Sequence, residues 1–182
     1  MDQGPIAQSG AWLAVGREIS ETLERVDARA FQRFVEIFRD EQRRWFFSGQ
    51  GRSGLVAEMA AMRFMHVGRL AHFVGEATAP SIRAGDGLLL VSGSGATPVT
   101  IHFARIAKNE GAAIALITRE RDSALAKLAH FVLHVPIEAT QQFGGSLFEQ
   151  MSLILLDAIV LELMQGVPDP HRTMLGRHTN LQ

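Results

Sequence analysis

Gly87-Leu88-Leu89-Leu90-Val91-Ser92-Gly93-Ser94-Gly95-Ala96-Thr97 joins an apolar run to a run of glycines and hydroxyls. The run Gly87–Val91 does not alternate with polar residues, which suits a parallel strand covered on both faces. The segment after it, Thr97–Asn109, reads as a helix. Strand, glycine-rich turn and helix in that order make the unit of an α/β sheet. Further short apolar runs at Arg44–Phe47, Ala71–Val74, Ala112–Ile117 and Phe131–Val135 extend the sheet to five strands. Ser53–Val67 and Ser123–Leu128 read as additional crossover helices, and Gly85-Asp86-Gly87 and Gly111 as turns. Ser146–Gln165 is a long apolar helix closed by Gly166 and Pro168. Ahead of the sheet, Trp12, Ile19, Leu23, Val26, Phe34, Ile37 and Phe38 approximate a helical stripe that divides near Asp27. The expected fold is α/β: a three-layer α/β/α, doubly wound sheet of about five parallel strands in flavodoxin-like order. Residues 1–40 form an N-terminal helical arm of the same domain, and 41–182 the α/β body.

Composition narrows the function. The chain has 182 residues, is 47% hydrophobic and 20% charged, and carries a formal net charge of -1. Such a balance gives no general attraction for nucleic acid or anionic membranes. An anionic ligand must be held by local geometry. With no cysteine, thiol nucleophiles and zinc–thiolate sites are excluded. Residues 1–10 lack the basic start and apolar stretch of a signal peptide. The apolar stretch Leu153–Leu163 is too short to span a bilayer. The expectation is a cytoplasmic protein.

Two glycine-rich turns follow strands, where doubly wound sheets bind ligands. The first is Gly49-Gln50-Gly51-Arg52-Ser53-Gly54. Glycines permit close backbone approach, and the following helix start offers free N–H groups to a phosphate. Ser53 is placed to cap that helix and to donate to an oxygen. The second is Ser92–Thr97, with hydroxyls at Ser92, Ser94 and Thr97 around another helix start. The first also fits the G-x-G-x-x-G dinucleotide pattern, with Glu76 about 20 residues further on as ribose partner. A dinucleotide-binding domain is therefore the natural rival. A dinucleotide does not require the second loop, whereas a phosphate held between two strand ends uses both. Little chain is left for a separate substrate domain.

Ser92–Thr97 resembles the S-x-S-G-E-T phosphate loop of SIS (sugar isomerase) domains. Gly49–Gly54 followed by Ala61-Met62-Arg63-Phe64-Met65-His66 is similar to the 6-phospho-3-hexuloisomerases of that superfamily. So are Val74-Gly75-Glu76, the helix opening Gly145-Ser146-Leu147-Phe148-Glu149-Gln150 and the tail Arg177-His178-Thr179-Asn180-Leu181. The resemblance runs from about Gly49 to the C-terminus. It implies a SIS fold over 41–182, no metal or organic cofactor, and a homo-oligomer, usually a homotetramer. It also implies interconversion of 3-hexulose 6-phosphate and fructose 6-phosphate in the ribulose monophosphate route of formaldehyde fixation, with a pathway link to hexulose-phosphate synthase. The chain departs from the pattern at Ala96, where glutamate is usual, at Phe143-Gly144, where a proline-containing pair is expected, and at Thr179, where alanine is common. A non-catalytic SIS module that senses a sugar phosphate is the second alternative.

Moving a carbonyl from C3 to C2 requires a base and groups that steady an enediolate. Ser146-Leu147-Phe148-Glu149 reads on its own as a capping box, in which Glu149 closes the helix start. The resemblance instead implies that Glu149 is the catalytic base. Ser53, Ser92, Ser94 and Thr97 are the candidate phosphate donors. Gly51, Arg52 and Glu76 are candidates for other substrate contacts. His178 is a candidate proton relay, reaching a neighbouring subunit's site as the resemblance suggests. His66 reads as a packing or interface residue, and Met59, Met62 and Met65 as packing residues. His130 and His134 have no carboxylate pattern around them that would make a metal site. The arm and the Ser146–Met164 helix carry more apolar surface than one small sheet needs, which favours association.

Overall fold

A computed structural model describes residues 10–181. Residues 1–9, read above for a signal peptide, and Gln182 lie outside it. The five strands β1 (Arg44–Gly49), β2 (Leu70–Phe73), β3 (Gly87–Val91), β4 (Ala113–Thr118) and β5 (Phe131–His134) form one sheet. Its order is β2-β1-β3-β4-β5, with every pairing parallel. This is the doubly wound α/β fold expected from the apolar runs. β3 is buried at all five positions, as a strand with layers on both faces should be.

One face is covered by α2 (Ala28–Ile37), α3 (Arg52–His66) and α5 (Ser146–Leu163), with α1 (Ala11–Leu23) packed on α5. The break between α1 and α2 falls at Asp27, whose carboxylate accepts from the Arg29 and Ala30 N–H groups and so caps α2. Phe34, Val35 and Phe38 are buried against Trp45, Phe47 and Phe64 in this core. The arm thus packs into the same core as the sheet. The other face carries α4 (Pro98–Asn109), against which Leu88, Leu90, Ile114 and Leu116 pack. At the foot of the sheet Arg44 makes two hydrogen bonds to Asp86, at 3.0 and 2.7 Å. This bidentate pair ties the starts of β1 and β3 together.

Three expectations are corrected. Ser123–Leu128 is a succession of turns, not a crossover helix. Leu125 is buried there, and its N–H donates to the Gly95 carbonyl, so the segment braces the second glycine loop instead of coiling. A sixth helix, α6 (Pro170–Leu175), follows Pro168; the Asp169 side chain caps it at Arg172 N–H. Met59, Met62 and Met65 do not pack in the core but lie exposed on α3. Apolar surface left outside includes a stripe of α3, Leu55, Met59 and Met62, together with Trp12 and Leu13 on α1 and Leu161 on α5, while the core-facing sides of α2 and α5 are buried within the chain. Among the described residues no helix is long and apolar enough to cross a membrane.

Candidate active site

β1 leads to α3 on one face of the sheet and β3 to α4 on the other. The two strands are neighbours, with Gly49 paired to Val91 at their carboxyl ends. This is the topological switch point, where the diverging connections leave a crevice. Both glycine loops open into it.

In the first loop Gly51 has φ +57 and is the N-cap of α3. The turn is tight: a Cβ at Gly49 would lie 2.5 Å from the Ser53 carbonyl oxygen. Only glycine permits that approach. Ser53 is half-buried and forms no capping hydrogen bond, so the capping expectation is not met. In the second loop Gly95 has φ +59, and a Cβ on it would collide with Ser123. Ser92 is buried and its N–H is tied to Ile117. Ser94 is exposed and its Oγ accepts from Ala96 N–H at 3.3 Å. Thr97 is the N-cap of α4, with its own hydroxyl unused for capping. Pro98 fills the first position of α4, which needs no N–H.

α5 closes the crevice. Its Phe148 ring lies 3.1 Å from where a Cβ of Gly93 would stand, so the second loop passes directly against the first turn of this helix. Next to it, the Glu149 carboxylate accepts a hydrogen bond from Arg52 Nε at 2.6 Å. The carboxylate is mostly shielded (13% exposed) while the arginine is mostly open (64%). The capping box is not formed. Gly145, not Ser146, is the N-cap, and the Ser146 hydroxyl turns back to the Phe143 carbonyl at 2.8 Å. Glu149 is thereby left to face the first loop. Gln150 Oε1 beside it is buried without a partner, a polar atom the sequence reading did not single out.

Gly51, Arg52, Ser53 and Glu149 are thus gathered at one end of α3, with Ser92, Ser94 and Thr97 on the loop that Phe148 touches. Two candidates lie elsewhere. Glu76 is exposed after β2, accepts from Phe73 N–H at 3.4 Å and lines an apolar cavity of about 290 Å³ with Phe46, Leu88 and Phe103. His178 stacks on His66 at 5.1 Å, at the C-terminal end of α3, about 20 Å along the helix from Arg52. His66 is buried, and burial, followed by the His178 and Arg63 charges, holds its pKa below the ordinary value. His130 Nδ1 accepts from Ile114 N–H. His134 Nε2 contacts the Arg119 carbonyl at 2.8 Å, and burial, with the Arg121 charge, lowers its pKa. Among the described residues no group of three acidic or histidine side chains is placed to hold a metal ion.

Residues 37–162 match the SIS domain family. The chain belongs to the SIS domain family, in its 3-hexulose-6-phosphate isomerase group. The Mycobacterium gastri 3-hexulose-6-phosphate isomerase is 42% identical over 147 residues, which cover 76% of this chain and 74% of that protein. The Bacillus subtilis 3-hexulose-6-phosphate isomerase is 38% identical over 146 residues, 75% of this chain and 79% of that one. A crystal structure from Methanococcus jannaschii, for which a function of 3-hexulose-6-phosphate isomerase was inferred, superposes with a TM-score of 0.85 at 28% identity. The match covers 96% of this chain and 100% of that chain. These relatives favour neither the dinucleotide reading nor the sensor reading.

Proposed function

We propose that this SIS-family chain is a 3-hexulose-6-phosphate isomerase, interconverting 3-hexulose 6-phosphate and fructose 6-phosphate in the ribulose monophosphate pathway of formaldehyde fixation. The observation that carries this reading is the Glu149 carboxylate, aimed at the first loop and held by Arg52. Ser53, Ser94 and Thr97 hold the phosphate; Ser92, expected above as a fourth donor, is buried with its N–H tied to Ile117 and stands behind them in the loop. Glu149 takes the C2 proton of the 3-keto sugar, and the electron pair of that C–H bond forms the C2–C3 double bond of an enediolate. Arg52 offsets the negative charge that gathers on the enediolate oxygen. A proton passes from the O2 hydroxyl to O3, and as the C2–O2 bond becomes the new carbonyl the electron pair of the double bond takes the proton back from Glu149 at C3. C2 is oxidised and C3 reduced within one molecule, so no external electron carrier takes part. Gly51 lets the substrate approach the backbone, and Glu76, which lines the neighbouring apolar cavity, stands outside this set.

Within one chain His178 and Glu149 sit at opposite ends of α3. We place His178 in the site of a second copy. Leu55, Met59 and Met62 form an exposed apolar stripe on α3, and two copies packed antiparallel about a twofold axis through it would bring each His66–His178 end to the other's Arg52–Glu149 end. A homotetramer built on such pairs, working in the cytoplasm beside hexulose-phosphate synthase, is the assembly this reading expects. The test is to supply fructose 6-phosphate and follow the 3-keto isomer by ¹³C NMR, with other sugar phosphates in parallel. Conversion of fructose 6-phosphate in preference to them supports the proposal. Conversion of a different sugar phosphate alone would replace the substrate, and inertness toward all would remove the activity.

A further inference from the structure

The connection from β5 to α5 is held by the arm more than by the sheet. Glu18, half-buried on α1, accepts three hydrogen bonds from it: from the Thr140 hydroxyl at 2.7 Å, from Gln141 N–H at 2.7 Å and from the Gln142 side-chain amide at 3.0 Å. Gln142 N–H in turn donates to Thr140 Oγ1 at 3.0 Å, which closes the knot. Arg25, just beyond α1, adds an exposed ion pair to Glu138 at 3.5 Å. The Gln141 amide, with smaller help from Thr140 and Gln142 and against the cost of burial, holds the Glu18 carboxyl below the usual carboxylate range. It is therefore ionised, the state that accepts all three bonds, at neutral pH.

The knot connects to the base through a few residues of backbone. Phe143, the next residue, accepts both the N–H and the hydroxyl of Ser146 on its carbonyl, at 3.3 and 2.8 Å. Gly144 turns the chain at φ +63, and the Gly145 carbonyl accepts from Glu149 N–H at 3.1 Å. The start of α5 has no side-chain cap of its own, and the strap that Glu18 grips is the chain that leads into it. Residues 138–143 bury no large apolar side chain, and Phe143 is 95% exposed. Releasing them costs little of the core.

We propose that Glu18 is a positioning residue for the site, fixing the Thr140–Gln142 strap so that α5 presents Glu149 to the first glycine loop. This rests on the isomerase reading above. An aim set by the strap affects a base mainly in the transition state, where a small misplacement is most costly.

The experiment compares Glu18→Ala, Thr140→Val and Thr140→Ser with the wild-type chain by amide hydrogen exchange, thermal melting and fructose 6-phosphate kinetics. In Glu18→Ala, exchange should rise at Gln141, Gln142 and Glu149 while core amides and the melting temperature stay near native. Its kcat should fall about tenfold with KM within about twofold. Thr140→Val should follow it part of the way, and Thr140→Ser, which keeps the hydroxyl, should behave as wild type. Unaltered exchange at Gln141 and Gln142 in Glu18→Ala overturns the strap, whatever the wild type does with sugar phosphate. A rise in KM at constant kcat, or equal losses in Thr140→Ser and Thr140→Val, overturns the positioning role. A wild-type chain inert toward fructose 6-phosphate but showing the exchange changes would strike the isomerase reading alone.

Discussion

At the N-terminal end of α3 the chain turns through Gly51 at positive φ, the Ser53 hydroxyl is unused, and Arg52 meets a carboxylate from a helix 97 residues further on. At its C-terminal end His66 lies buried under His178, and Arg177 reaches the His66 carbonyl at 3.4 Å. The first end exposes N–H groups and suits an anion; the second gathers the Arg63 and Arg177 cations beside the last-turn carbonyls, as a helix dipole favours. The difference teaches that one chain holds two halves of a proposed catalytic set that it does not itself unite. Between them runs the exposed Leu55–Met59–Met62 stripe, along which a second copy would bring the halves together.

The sharpest way to break this comparison is complementation. Glu149→Gln and His178→Gln should each be nearly inactive alone. After unfolding and refolding together, mixed pairs carry one intact site each, and about a quarter of wild-type activity should return. A His178→Gln chain with full turnover would remove the second end from the chemistry. A smaller effect separates the two loops at the first end. Ser94→Ala and Thr97→Val should each raise KM for fructose 6-phosphate about tenfold with kcat little changed, since phosphate contacts form before the reaction. Steady-state kinetics that leave KM unmoved in both would place the phosphate elsewhere.

The smallest effect belongs to the histidine end. The folded chain holds His66 below the ordinary histidine value of 6.5, so the unfolded chain takes up a proton first as pH falls. The stability this residue contributes is complete above 6.5 and is lost as pH drops through that value toward the folded pKa. Between pH 7 and 5.5 the wild-type melting temperature should fall more than that of His66→Gln. His134, also lowered, leaves a residual slope in the variant. Parallel melting curves across that range would show that the stack with His178 does not discriminate between charge states.

The sheet was legible because both its faces are covered: each strand reads as a short apolar run, and Asp27 announced the break in the arm. Ser123–Leu128 was misread because Leu125 and Leu128 have helical spacing, yet the backbone there serves the Gly95 loop. The signals for α6, Asp169 and Pro170, were present but masked by the stop at Gly166 and Pro168. For Ser146–Glu149 the capping pattern was genuine as a pattern. One residue of offset, with Gly145 taking the cap, freed Glu149 for Arg52. No local pattern announces a contact spanning 97 residues, nor the hold of Glu18 on Thr140–Gln142; both follow from which elements the topology makes neighbours. The resemblance to the SIS isomerases, not spacing, singled out Glu149.

The central claim is that Glu149 moves the proton, and Glu149→Gln tests it most directly, by ¹³C NMR of fructose 6-phosphate alongside a thermal melt. Glutamine keeps the shape and the hydrogen bond to Arg52 but accepts no proton from carbon. The account predicts a native-like melt with conversion to the 3-keto isomer slowed about a hundredfold or more. A folded Glu149→Gln chain that converts the sugar at the wild-type rate would contradict it.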